Sequence, residues 1–157
     1  MIIGVPSEVK NNENRIGMTP DSVSKLTKKG HEVFVQESAG ANIGFFDQDF
    51  LSAGAKILKT PEDVYKSSEM IVKVKEPIPS EYKFLRDDLT LFTYLHLAGD
   101  PQNAKKLIDT GVTGIAYETV TSDNGSMPLL APMSTIAGQL AFTVGTYPVS
   151  YTHLRAH

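Results

Sequence analysis

The order of predicted elements implies an α/β fold: a mainly parallel, doubly wound sheet with helices on both faces, ending in a long helix. Two observations carry this. Short apolar, β-branched runs alternate with helical segments from Met1 to Tyr117, and parallel neighbours need a crossover connection, which a helix supplies. Three helical segments also open on capping signals, Thr19-Pro20, Thr60-Pro61 and Asp100-Pro101, while Gly30, Gly54 and Gly111 act as stops.

In order, Met1–Val5 is an apolar run that stops at Pro6, where a missing amide would spoil a ladder. Residues 7–20 are polar and loop-like and hold Glu8, Lys10, Glu13 and Arg15. A helix over 21–29 places Val23 and Leu26 on one face, and 31–36 alternates as a strand. After a loop with Gly40 and Gly44 come a short helix over 47–53 and a strand over 55–58. The Thr60 cap opens the next helix, and Met70–Val74 is a strand closed by Pro77. Residues 89–95 form a further strand, 100–109 a helix and 112–117 another strand. Asp123-Asn124-Gly125 signals a turn before the loop 126–132. From Met133, the residues Ile136, Ala137, Leu140, Ala141 and Val144 repeat at helical spacing, and Pro148 is expected to end that helix. This order suits a Rossmann-like or flavodoxin-like sheet. No internal repeat, low-complexity tract or linker divides the 157 residues.

Composition narrows the partners. A net charge of -3 makes no case for nucleic acid or an anionic membrane, which leaves small molecules or copies of the chain itself. The absence of cysteine excludes disulfides and thiolate metal sites. Neither a signal-peptide pattern nor a run approaching ~18 apolar residues occurs, so the expected location is the cytoplasm.

In open parallel sheets, ligands collect beyond the carboxyl ends of the strands. Arg15 follows the first strand, Lys75 ends the Met70–Val74 strand, His96 follows Leu95, and Glu118 follows Tyr117. Each has a plain alternative. Arg15 and Glu118 can be solvated loop charges, and one of Lys73 and Lys75, which share a face of an apolar strand, can be sheet-edge solvation. His96 can be satisfied by neighbouring backbone. Their co-location is what points to a site.

Together these residues suit a small anionic substrate with a reactive carbonyl or amine. Arg15 can grip a carboxylate through two parallel hydrogen bonds, which lysine cannot. Lys75 can donate to a carbonyl oxygen or to the same carboxylate. His96 carries an imidazole, the side chain suited to general acid and base work near neutral pH. Glu118 can neutralise surplus positive charge or orient a basic group. No His-Glu-x-x-His, Gly-x-Ser-x-Gly, phosphate loop or Gly-x-Gly-x-x-Gly occurs, which argues against a metal site, a serine hydrolase and a phosphate cradle.

The stretch Gly4-Val-Pro-Ser-Glu-Val-Lys-Asn-Asn-Glu-Asn-Arg-Ile-Gly-Met-Thr-Pro20 resembles the N-terminal signature of the family shared by alanine dehydrogenase and the alpha subunit of pyridine-nucleotide transhydrogenase. The resemblance runs from Met1 to about Thr146, with Ile16-Gly17 standing where Val-Ala is common. Val72-Lys-Val-Lys-Glu-Pro77, Tyr94-Leu-His-Leu-Ala98 and Ala116-Tyr-Glu-Thr119 resemble the dehydrogenase side of that family.

The resemblance implies an NAD-dependent, reversible oxidative deamination of L-alanine to pyruvate and ammonia. It implies that Arg15 and Lys75 bind the pyruvate or alanine carboxylate and carbonyl, that His96 is the acid/base, and that Glu118 supports the site. It further implies that Met133 and Ser134 approach the nicotinamide, and that the intact protein is a homohexamer. Residues 1–148 are then the substrate-binding domain of a truncated N-terminal fragment, itself inactive because the NAD-binding Rossmann domain is missing. The tail 149–157, with His153, Arg155 and His157, matches nothing in the family and is expected to be non-native and without function. Two other readings stand: the N-terminal domain of a transhydrogenase alpha subunit, and a non-catalytic small-anion binding module.

Overall fold

The computed structural model describes the backbone of residues 1–154 and the side chains of residues 1–147. Six strands are present: β1 (Ile2–Val5), β2 (Glu32–Gln36), β3 (Lys56–Leu58), β4 (Met70–Val72), β5 (Thr90–Thr93) and β6 (Thr113–Ala116). They form one sheet in the order β3-β2-β1-β4-β5-β6, and every neighbouring pair is parallel. The helices that connect them are α1 (Pro20–Thr27), α2 (Asp47–Ser52), α3 (Pro61–Ser67) and α4 (Pro101–Asp109), and a long helix follows, α5 (Ala131–Leu154). The chain divides into two compact units, Met1–Ala116 and a second that begins at Tyr117.

Within the first unit the sheet carries a hydrophobic core on each face. Val5, Val33 and Val35 pack with Val23 of α1 and Phe50 of α2, and Ile71, Leu91 and Leu95 pack with Val64 and Tyr65 of α3 and Leu107 of α4. Successive strand residues point to opposite faces, so Ile57 joins the first cluster and Leu58 the second. The expected doubly wound arrangement is therefore present. The sheet and α3 pack closely at β1: a Cβ on Gly4 would run into the Ser68 hydroxyl and lie 2.8 Å from Ile71 Cδ1 and 2.9 Å from Val64 Cγ1.

The capping signals act as expected. The Thr19 hydroxyl accepts from the Ser22 amide at 3.3 Å, Thr60 from Asp63 at 3.1 Å, and the Asp100 carboxylate from Asn103 at 3.0 Å. Each satisfies an orphan donor of the first turn. The Asp123–Gly125 turn also forms, closed by Ser122 and Ser126 through a backbone hydrogen bond of 2.8 Å.

Three expectations need correction. The fourth strand stops at Val72 rather than Val74, because the Val74 amide turns to the Glu8 carboxylate. The strand expected to reach Leu95 ends at Thr93, and His96, three residues on, takes a left-handed backbone, φ 51°, outside the extended region. The last helix opens at Ala131 and passes through Pro148 to Leu154; a proline removes one backbone donor, and the helical bonds on either side carry the element on. The expectation that 149–157 is non-functional falls on side chains outside the described residues.

The apolar stripe of α5 is exposed at Ile136, Leu140 and Val144, and Phe142 is 78% exposed on the same helix. No helix among the described residues is long and apolar enough to cross a membrane.

Candidate active site

The strand order reverses direction between β1 and β4, and in such sheets the crevice beyond the carboxyl ends at that reversal is where ligands bind. Two loops meet there. The first leaves β1 at Pro6 and carries Glu8, Glu13 and Arg15; the second leaves β4 and carries Lys73 and Lys75.

The β1 loop is tied down along its length. The Ser7 amide donates to Gln36 Oε1 at 3.0 Å, Lys10 pairs with Glu76, and the Glu13 amide donates to the Lys10 carbonyl at 3.1 Å. Asn12 takes the left-handed conformation, φ 63°, which asparagine tolerates better than most residues. Gly17 lies against the end of β4, where a Cβ would run into the Val72 carbonyl. That close approach accounts physically for a glycine at this position.

Arg15 projects from this loop with Glu13 on its fork. Nε donates to Glu13 Oε1 at 2.8 Å and Nη2 to Oε2 at 2.5 Å, while the Arg15 amide adds a third bond to Oε1 at 3.0 Å. The hydrogen bonds from Arg15 hold the Glu13 carboxyl below the usual carboxylate range, and the Lys75 charge adds to the effect. The same pairing raises the Arg15 guanidinium above its ordinary value.

Lys75 is half-buried, and its backbone is held from both neighbouring strands. Its amide donates to Glu8 Oε1 at 3.4 Å, and its carbonyl accepts from Thr93 Oγ1 at 3.0 Å. Of the two lysines open to a reading as sheet-edge solvation, Lys73 does not solvate the edge. Its side chain is 0% exposed, with Nζ 2.7 Å from Glu81 Oε1 and 3.5 Å from Glu8 Oε2. Glu81 also accepts from the Tyr65 hydroxyl at 2.9 Å and the Ile78 amide at 3.0 Å. A cation placed in an apolar core persists only with such partners. Burial, with the Glu81 charge beside it, pushes the Tyr65 phenol far up. Burial likewise raises the Glu8 carboxyl, against the pull of Lys73.

His96 lies on the loop after β5, next to β4 in the sheet. It is exposed, its carbonyl accepts from the Gly99 amide at 3.0 Å, and its ring covers Gly99 so closely that a Cβ there would collide with the imidazole. Glu118 sits in a 3-10 turn, Tyr117–Thr119. Met133 and Ser134 stand in the first turn of α5, where the Ser134 amide donates to the Leu130 carbonyl at 3.2 Å. Glu118, Met133 and Ser134 belong to the second unit. The structure therefore sets Arg15 and Lys75 on two loops that meet at one crevice, with Glu13 on the Arg15 fork, and sets His96 on the loop after the adjacent strand.

Sequence reasoning gave Glu8, Glu13 and Glu81 no part in the site and left Lys73 as one of two lysines open to sheet-edge solvation. One signal was available: a lysine inside the apolar run Met70-Ile-Val-Lys-Val74 demands a buried acid.

The residues at this crevice do not suit a dinucleotide. A pyrophosphate site needs a glycine-rich turn leading straight into a helix N-terminus, whereas here a 14-residue loop, 6–19, separates β1 from α1. No group of three or more metal-ligating side chains occurs among the described residues.

The family model for the Alanine dehydrogenase/PNT N-terminal domain matches residues 4–137. The chain is 53% identical over 145 residues to the alanine dehydrogenase of Bacillus subtilis (strain 168), covering 92% of this chain and 38% of the relative. It is 49% identical over 147 residues to the alanine dehydrogenase of Mycolicibacterium smegmatis, covering 94% and 40%. A solved L-alanine dehydrogenase superposes with a TM-score of 0.88 at 48% identity, over 97% of this chain and 42% of that one. A transhydrogenase from Sinorhizobium meliloti gives 0.70 at 26% identity, over 75% and 35%. The chain spans about two fifths of the length of the curated relatives it matches.

Proposed function

From the membership of this chain in the Alanine dehydrogenase/PNT N-terminal domain family, to which it belongs, we propose that residues 1–148 are the substrate-binding domain of an NAD-dependent L-alanine dehydrogenase. The observation that carries this reading is the two-point grip of Arg15 on a carboxylate, on a loop that meets the loop of Lys75 at the crevice between β1 and β4. A guanidinium already arranged in a two-point grip on a carboxylate suits the carboxylate of a small amino or keto acid. The greater identity and coverage of the dehydrogenase relatives favour them over the transhydrogenase.

In this reading Arg15 takes the substrate carboxylate in place of Glu13. Lys75, oriented by the backbone bonds of its own residue, donates to the substrate carbonyl and polarises it. His96 moves a proton between solvent and the oxygen or nitrogen at the reacting carbon, a contribution of roughly 10²–10⁴ in rate. Glu118 supports the basic groups, and Met133 and Ser134 face the nicotinamide. NAD, when bound, accepts the hydride; the residues that hold its phosphates belong to a further domain, and this chain by itself has no turnover. The protein works in the cytoplasm as a homo-oligomer, a hexamer, with the exposed apolar side chains of α5 at a subunit contact. The tail 149–157 takes no part.

The test is oxidation of NADH by pyruvate and ammonium. Turnover in the full-length protein and none in the 157-residue chain is the expected result. Turnover by the chain alone defeats the division of labour, and absence of turnover in the full-length protein defeats the activity.

A further inference from the structure

Glu8 is the acid of the β1 loop that the chemistry above leaves without a task. Its side chain is 1% exposed, although it lies in a polar loop, so burial of a charge at this place has a cost that some other interaction must offset. Oε1 accepts from the Val74 amide at 2.6 Å and the Lys75 amide at 3.4 Å. Oε2 accepts no hydrogen bond among the described residues and faces the buried Lys73 ammonium at 3.5 Å. The two amides lie where β4 leaves its ladder, and the residue they belong to, or precede, is Lys75.

On the reading of Lys75 as a substrate ligand, we infer that Glu8 is a positioning residue. It bridges the buried Lys73 to the Val74 and Lys75 amides and so sets the place from which Lys75 reaches the substrate carbonyl. Each connection has a physical reason. The Lys73 ammonium is fixed by Glu81, which is itself held by Tyr65 and the Ile78 amide, so it offers Glu8 a rigid cationic anchor. A carboxylate so anchored orders the two amides, because hydrogen bonds to a charged acceptor are stronger than neutral ones. From the other side Thr93 holds the Lys75 carbonyl at 3.0 Å. The peptide units around Lys75 are therefore fixed from β1 and from β5, and small displacements of a positioned group cost rate and affinity steeply.

The experiment has two readouts. In the full 157-residue chain, hydrogen exchange is followed at the Val74 and Lys75 amides. Glu8→Ala is expected to speed exchange there by about tenfold while the β2 amides keep their protection, and Glu8→Gln, which keeps an acceptor oxygen, restores most of it. In the full-length protein, Glu8→Ala raises the pyruvate KM by about tenfold, leaves the NADH KM within about twofold, and is partly rescued by Glu8→Gln. Should Glu8→Ala not fold, Glu8→Asp, one methylene short of the amides, carries both readouts. Unchanged exchange at the two amides overturns the inference, as does acceleration spread equally over β1 and β2, which marks a merely structural role. An unchanged pyruvate KM overturns it too. A wild-type full-length protein without pyruvate turnover refutes the proposed activity instead, and the exchange readout still decides whether Glu8 orders the Lys75 backbone.

Discussion

Arg15 and Glu13, two residues apart, form a two-point ion pair, Nε to Oε1 at 2.8 Å and Nη2 to Oε2 at 2.5 Å. The donors that would hold a substrate carboxylate already hold one. Glu13 is nearly buried on its carboxylate side, at 8% exposed, and Arg15 is 46% exposed, so solvent screens the pair and its contribution to stability is at most about 1 kcal/mol.

That pair sets a pH dependence. The folded-state pKa of Glu13 is lowered, so its contribution is present above the unfolded value of about 4.3 and is lost as pH falls through the folded value. Glu13→Gln removes this segment. Urea midpoints of wild type and variant, measured from pH 6 to pH 2.5, are expected to converge as pH falls below ~4; a gap independent of pH contradicts the pairing.

Lys73 behaves differently because it is wholly buried between Glu81 and Glu8. Lys73→Ala strands two buried carboxylates and is expected to cost about 3–5 kcal/mol in unfolding free energy. Lys25→Ala serves as the comparison, since its i,i+4 partner Asp21 is exposed and the pair is worth only about 0.3–0.5 kcal/mol. Equal costs from urea denaturation refute the buried network.

Gly99 lies beneath the His96 ring with no room for a Cβ. In the full-length protein, Gly99→Ala displaces the imidazole and is expected to lower kcat by about tenfold. The loop is exposed, so the melting temperature moves little. Wild-type kcat in a folded variant shows that the ring's place is immaterial.

The helix starts and the alternation of elements were legible because their causes are local. A threonine or aspartate three residues from the amide it caps, followed by proline, is visible in a short window, and Thr19, Thr60 and Asp100 all cap as read. That Arg15 and Lys75 stand in loops beyond the carboxyl ends of β1 and β4 was legible from strand polarity, while the choice of Lys75 over Lys73 came from the family resemblance. Glu8 was not legible, because the amides it holds lie 66 and 67 residues away. Nor was the early end of β4, which that same carboxylate causes. Pro148 misled in the opposite direction: a proline weakens one turn, and the helix passes through it. The close approach of Gly17 to the Val72 carbonyl was not legible either, since the two lie far apart in sequence.

The central claim is that Arg15 grips the carboxylate of pyruvate or alanine. Its most direct measurement is the pyruvate KM of full-length Arg15→Lys in the NADH oxidation assay with ammonium. Lysine keeps the charge but not the two-point geometry, so the KM is expected to rise by about tenfold or more, with the NADH KM nearly unchanged. A pyruvate KM equal to that of the wild type contradicts the account.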